Sequence, residues 1–222
     1  EANKIAMVQR GRYIVWEGSD GIGKSTQMQI AVEESRRRGI PTLATREPGG
    51  SSIGPAVRNI LLNPESGDID PLAESHLFLA DRVQLWYGKI AVALAERYDV
   101  HSDRSWWSTL AYQGAGGKVD LDKIIQLHKL SLPKEYLTPD LGFIFYMSEE
   151  DRMARKALAS TEEFGEQDRI EQKRDNFFER VEQQYTNIRR TRIMGAIGIN
   201  AAGSIEEVSA RWRPYLFTLD AA

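Results

Sequence analysis

The chain has 222 residues, 41% hydrophobic and 27% charged, which suits one sizeable core and excludes global disorder. Twenty-nine Lys and Arg against 32 Asp and Glu leave a net charge of −3, so no nucleic-acid polymer and no membrane surface is expected as a partner. Without cysteine, disulfide scaffolds and thiol chemistry are excluded; without an apolar run near the ~20 residues of a membrane span, the expected location is cytoplasmic.

Residues 1–12 read as an N-terminal extension, 13–217 as a single domain and 218–222 as a C-terminal tail. Tyr13-Ile14-Val15-Trp16 is the first strand, rich in β-formers. A Gly-rich turn leads into a helix with Met28, Ala31 and Val32 on one face, closed by Gly39 and Pro41. Thr42–Thr45 reads as a second strand before the turn Pro48-Gly49-Gly50, and Ile53, Val57, Ile60 and Leu61 then recur at helical spacing. Asp70 followed by Pro71 is a helix start, and the helical pattern runs to about Arg97 with a break placed near Gly88. A weak strand at Asp99–Ser102 leads to Asp103-Arg104, a helix follows at Val119–Leu132, and Leu141–Met147 is a clear buried strand. Glu149 to Arg192 reads as charged helix interrupted at Thr161–Gly165, Ile197–Asn200 as a last strand, and Ser204 with Glu207 as a capping box.

Strands alternating with helices predict an α/β fold, a mostly parallel sheet flanked by helices. Ligands of such sheets bind where the strands end, which directs attention to Glu17–Ser25, Arg46–Gly50, Asp103-Arg104 and Ser148 onward.

At the first of these ends, Gly18-Ser19-Asp20-Gly21-Ile22-Gly23-Lys24-Ser25 fits G-x-x-x-x-G-K-[ST], between a strand and a helix. Glycines let successive amides curl inward around phosphate oxygens, and the helix N-terminus adds partial positive charge. Lys24 can reach the β- and γ-phosphates, Ser25 can offer its hydroxyl to Mg²⁺, and Thr26 follows within the same turn. Binding of a nucleoside triphosphate is the expectation, with ATP-side residues 18–26.

The ordered set Glu17–Thr26, Thr45-Arg-Glu-Pro-Gly-Gly50, Leu77-Phe-Leu-Ala-Asp-Arg82, Asp103-Arg104, Ser108-Thr-Leu-Ala-Tyr-Gln-Gly114 and Asp168-Arg-Ile-Glu171 resembles thymidylate kinase. The resemblance runs from about Tyr13 to Val208. The Arg-Glu-Pro-Gly-Gly and Ala-Tyr-Gln-Gly segments discriminate far better than the phosphate loop, which many NTPases share. It implies a three-layer P-loop NTPase fold, a mobile lid at about 149–170, a homodimer, and Mg-dependent transfer of the ATP γ-phosphoryl group to dTMP.

By resemblance, Arg104 holds the dTMP phosphate, Arg58 lies near it, Arg82 meets the thymine edge and Phe78 stacks on the ring. Asp20 meets the sugar near its 3′-hydroxyl, and Glu47 sets geometry around sugar and metal. Tyr112 crowds the 2′ position, and Asp103 joins Ser25 in holding Mg²⁺. Thr109 and Gln113, four apart on one helical face, suit a base edge. Thymine against uracil rests on one methyl, worth ~1–3 kcal/mol, so preference rather than exclusivity is expected.

Catalysis of phosphoryl transfer draws on cations around the transferring group. The variable loop positions Ser19, Asp20, Gly21 and Ile22 carry no arginine, and 156–167 has Lys156 but no arginine beside Glu162, Glu163 and Glu166. Three readings stand: Arg155 with Lys156 supplies the cation, Arg169 swings in, or turnover is slow. Arg155 is the first choice. His101 is read as partly exposed or locally satisfied rather than catalytic, and Trp106-Trp107 as wall, core or dimer surface. The rival functions are a kinase of another deoxynucleotide or of a deoxynucleoside, and a slow nucleotide-binding regulatory module. No Asn-Lys-x-Asp element follows a strand to support a guanine-reading switch.

Overall fold

The computed structural model describes residues 10–148, 150–151, 168–174, 176–191 and 195–217. Five strands, β1 (Tyr13–Glu17), β2 (Thr42–Arg46), β3 (Asp99–Asp103), β4 (Leu141–Tyr146) and β5 (Ala196–Asn200), form one sheet in the order β2-β3-β1-β4-β5. Every pairing in it is parallel.

The central strand β1 is buried on both faces, which explains its unbroken apolar run. Its side chains alternate between two cores. Tyr13 and Val15 join one with Leu85, Trp107 and Ile144, whereas Ile14 and Trp16 join the other with Met28, Phe143 and Trp212.

The helices covering the sheet are α1 (Lys24–Arg37), α2 (Gly54–Leu62), α3 (Pro71–Leu85), α4 (Ala91–Ala95), α5 (Trp106–Thr109), α6 (Leu121–Ser131), α7 (Lys134–Leu137), α8 (Phe177–Thr191) and α9 (Ile205–Phe217). Asp70 caps α3 by accepting from Leu72 N at 2.8 Å, with Pro71 in the first turn. The capping box forms as expected, Ser204 N donating to Glu207 Oε2 at 2.7 Å.

Two details differ from the sequence reading. The long helix does not break near Gly88 but widens through a π-helical turn, Trp86–Ile90, and continues as α4. A second π-turn, Leu110–Gly116, extends α5. His101, read as partly exposed or locally satisfied, is fully buried in β3 and satisfied at one nitrogen, Nδ1 accepting from Trp16 Nε1 at 3.2 Å while Nε2 has no hydrogen-bond partner among the described residues. The two tryptophans prove to be core. Trp107 lies so close to β4 that a Cβ on Gly142 would meet its ring at 2.3 Å. No helix among the described residues is long and apolar enough to cross a membrane. The lid centre, with Arg155 and the Thr161–Gly165 interruption, lies outside the described residues, as do most of the N-terminal extension and the C-terminal tail.

Candidate active site

The carboxyl end of β1 opens into the phosphate loop. Gly18 takes φ +136°, and a Cβ there would lie 2.7 Å from Phe145 O, so this position needs glycine twice over. Gly21 and Gly23 also have positive φ, the latter directly before α1. Ile22 anchors the loop in the core, and Ser19 Oγ donates to Glu182 Oε1 of α8 at 2.5 Å. Thr26 is exposed on the first turn of α1. Lys24 is buried with Nζ 3.8 Å from Asp20. Burial, then the nearby Arg104, lower its pKa.

Below the loop, Ser25 Oγ donates to Asp103 Oδ2 at 2.5 Å, and Asp103 Oδ1 is buried with no hydrogen-bond partner. A hydroxyl beside an unsatisfied carboxylate oxygen is a donor set suited to a hard divalent cation.

Beside the loop lies a cleft of about 530 Å³. Eight of the nine residues expected on the acceptor side line it: Asp20, Glu47, Arg58, Phe78, Arg82, Arg104, Tyr112 and Gln113. Thr109 stands behind this wall, its hydroxyl accepting from Arg82 Nη1 at 2.6 Å. Arg82, only 1% exposed, also donates Nε to Glu47 at 2.7 Å and Nη2 to Ser105 O at 2.7 Å. Phe78, one turn earlier on α3, lies with its ring 5.3 Å from the guanidinium. Burial pushes the Glu47 carboxyl up to about 7 against the opposing pull of Arg82 and a hydrogen bond from Tyr136.

Arg104 adopts φ +75°, an unusual conformation for a side-chain-bearing residue. Its guanidinium contacts Ser108 Oγ at 3.0 Å, Tyr112 OH at 3.3 Å and the Asp20 carboxylate. Asp20 also accepts from Tyr112 OH at 2.7 Å. Burial would raise its pKa, but Arg104 and then Lys24 hold it far below the usual carboxylate range. Asp20 thus joins the phosphate loop to the cleft. Arg58 is half-buried, donating to Pro48 O at 3.1 Å.

Arg169 is buried, with Nε on Leu61 O at 2.9 Å and Nη2 on Glu74 at 2.8 Å. In this conformation it braces α2 against α3 and does not line the cleft. Asp168 and Ile170, on either side of it, do.

Sequence reasoning missed several buried polar residues that hold these groups. Glu17 accepts from Ser105 N, Ser108 Oγ and Tyr185 OH at 2.7, 2.8 and 2.9 Å. Tyr136 OH reaches both oxygens of Glu47, and Glu74 receives Gln113, Arg169 and Lys173. The one local signal is at Glu17, an acid extending an otherwise apolar strand, which demands buried partners.

The chain matches the Thymidylate kinase family model over residues 16–211. It is 37% identical over 196 residues to a thymidylate kinase of Exiguobacterium sp., spanning 88% of this chain and 89% of that one. A Synechococcus sp. thymidylate kinase is 39% identical over 199 residues, spanning 90% and 91%. The crystal structure of the thymidylate kinase from Ehrlichia chaffeensis superposes with a TM-score of 0.72 at 28% identity, covering 93% of this chain and 98% of that one.

Proposed function

The chain belongs to the thymidylate kinase family, and from that premise we propose how its cleft phosphorylates dTMP. An oxygen of the dTMP 5′-phosphate bonds to the ATP γ-phosphorus, and the bond from that phosphorus to the β–γ bridging oxygen breaks. The products are dTDP and ADP. The observation that carries this reading is the double engagement of Asp20, 3.8 Å from Lys24 of the phosphate loop and hydrogen-bonded to Tyr112 of the cleft. The two anionic substrates are thereby given adjoining sites, and proximity with charge neutralisation does most of the work.

Gly18 to Thr26 cradle the ATP phosphates, with Lys24 as the buried cation. Arg104 takes the acceptor phosphate, and its fixed fork among Asp20, Ser108 and Tyr112 supports that assignment. Arg58 supplies a second cation nearby. Phe78 stacks on the thymine, Arg82 with Glu47 behind it reads the base edge, and Gln113 completes that edge. Thr109 is reassigned from the base to Arg82, which its 2.6 Å hydrogen bond supports. Tyr112 closes off the 2′ side and Asp20 faces the 3′-hydroxyl.

Ser25 and Asp103 would hold Mg²⁺, which offsets charge on the phosphates when bound. Two protein oxygens alone would leave the rest of the octahedral shell to substrate phosphate and water. For the lid cation we retain Arg155, because Arg169 is buried, with Nε on Leu61 O and Nη2 on Glu74, and does not line the cleft. We extend the reading to a cytoplasmic homodimer, with apolar side chains exposed at Ile53 just before α2, Ile60 on α2 and Val92 on α4.

A coupled phosphoryl-transfer assay with dTMP, dUMP, dCMP and thymidine, with and without Mg²⁺, tests this. Mg-dependent turnover with dTMP preferred is expected. A preference for thymidine or dCMP overturns it, as does an ATP–dTMP bisubstrate analogue that binds no better than ATP.

A further inference from the structure

Gln113 meets the acceptor cleft with one side of its amide already committed. Its Nε2 donates to Glu74 Oε2 at 2.9 Å, and both residues are 1% exposed. A carboxylate among donors only accepts, so a carboxamide beside it must turn its nitrogen inward. Glu74 is pinned in turn, since Oε1 takes Arg169 Nη2 and Lys173 Nζ, each at 2.8 Å. With one Nε2 N–H held by Glu74, the amide turns its carbonyl oxygen, on the opposite side of the group, toward the cleft it lines. On the same wall Arg82 has five N–H groups and no acceptor. Three are committed to Glu47, Thr109 and Ser105, which leaves two.

We infer that Glu74, by fixing the orientation of the Gln113 amide, sets the base specificity of the cleft. Arg82 offers donors and Gln113 an acceptor, a pair that fits a pyrimidine with a 4-oxo group and an N3–H. A pyrimidine with a 4-amino group and a bare N3 meets donor against donor and acceptor against acceptor. Glu74 acts as a positioning residue, touching the base only through Gln113. It also ties the base edge to residues 169–173, so the stretch after the lid centre supports the same readout. The inference rests on the proposed dTMP substrate and goes beyond it, in naming Glu74 as the residue that holds the Gln113 amide in the discriminating orientation.

The test compares dTMP with 5-methyl-dCMP, which keeps the methyl, sugar and phosphate and exchanges only the hydrogen-bonding edge. The wild-type chain should favour dTMP by about 10³-fold or more in kcat/KM, because buried polar groups reject a mismatched edge strongly. In Glu74→Gln both amides can flip together. The ratio should then fall by about tenfold or more, through a raised dTMP KM with kcat held within about threefold. The exchange Glu74→Gln with Gln113→Glu re-forms the bond in the opposite direction, the amide at position 74 donating to the carboxylate at 113, whose other oxygen faces the cleft as an acceptor, and the ratio should return to within about threefold of wild type.

A purely structural Glu74 would lower both activities together and leave the ratio unmoved. An unchanged ratio in Glu74→Gln, or no recovery in the exchange, overturns the inference. Should neither variant fold, the wild type still decides: use of 5-methyl-dCMP within about tenfold of dTMP overturns it. A wild-type chain that does not phosphorylate dTMP overturns the reading on which it rests. Turnover of dTMP with unaltered discrimination in Glu74→Gln overturns this inference alone.

Discussion

The phosphate loop and the acceptor cleft share Asp20, and they are built by opposite means. The loop is one contiguous run, Gly18 to Ser25, whose positive-φ glycines let the backbone curl between β1 and α1. The cleft takes Glu47 from the end of β2, Arg82 from α3, Arg104 from beyond β3 and Gln113 from a π-turn. Its walls are side chains held by other side chains, Arg82 by three partners and Glu74 by three. A backbone site tolerates side-chain changes around it but fails at its one reaching cation. A side-chain site transmits damage through buried charges, so function and stability fall together.

The sharpest way to break the comparison is at Lys24. Lys24→Met should lower kcat by about 10³-fold, the scale of losing one preorganised charge on the transferring group. Its dTMP affinity should shift by no more than about threefold, since Arg104 and Tyr112 still flank Asp20. Steady-state kinetics with calorimetric dTMP binding checks both, and a loss of dTMP affinity as large as the loss of kcat would merge the two regions into one.

Arg82→Met is the counterpart in the cleft, and there stability should fall as well, by about 3–5 kcal/mol, because Glu47 is left buried without its cation. The size of that loss depends on pH. Glu47 in the folded wild type titrates at about 7, above its usual range, so the folded state binds the proton more tightly than the unfolded state. Its stabilising contribution is present at low pH and lost as pH rises through about 7. Without Arg82 the folded value moves higher still, and the deficit of Arg82→Met should widen from pH 7 to 9. Glu47→Gln should remove the wild type's own loss, which runs from about pH 5 up to about pH 7. Over much of the same range burial holds His101 and His128 down to about 4 and 3, which acts in the opposite direction in all three proteins, so only the differences between them report Glu47. Urea denaturation of the three proteins across pH 5–9 reads these differences directly, and parallel curves would remove Glu47 from the account.

The same contrast decides what the sequence made legible. The loop could be read locally because its chemistry is backbone chemistry, written in consecutive residues. On α3, Phe78 and Arg82 could be paired because a regular helix fixes what four residues apart means. That rule failed at Thr109 and Gln113, because Leu110–Gly116 winds as a π-helix and the intended common face does not form. Thr109 consequently meets Arg82, while Gln113 reaches the cleft. The supports were less legible still. Tyr136 sits on the four-residue α7, too short to show periodicity, and meets Glu47 across 89 positions. Glu74 lies on the same helix as Phe78, yet its partners Gln113 and Lys173 are 39 and 99 residues away. Long-range pairing of buried polar groups leaves little trace in local pattern, because the requirement is that a partner exist, wherever it lies in the chain.

Tyr136 offers the mildest test of whether the cleft behaves as one connected unit. Its hydroxyl lies 2.9 and 2.8 Å from the two Glu47 oxygens, and its ring packs 5.6 Å from that of Tyr13. Tyr136→Phe keeps the ring and removes only this donor, which should cost about 1–2 kcal/mol of stability. Burial already drives the Glu47 pKa up, and the Tyr136 hydrogen bond is one of the contacts opposing it. Without that bond the folded value rises further, so the deficit should grow above about pH 7, with the sign expected for Arg82→Met and a smaller size. Arg82 keeps its bonds to Thr109 and Ser105, so the dTMP KM should rise only about two- to fivefold with kcat nearly unchanged. If Tyr136→Phe lost stability equally at pH 6 and pH 9 with no change in KM, Tyr136 would be a packing residue, and the chain of support behind the base edge would stop at Glu47.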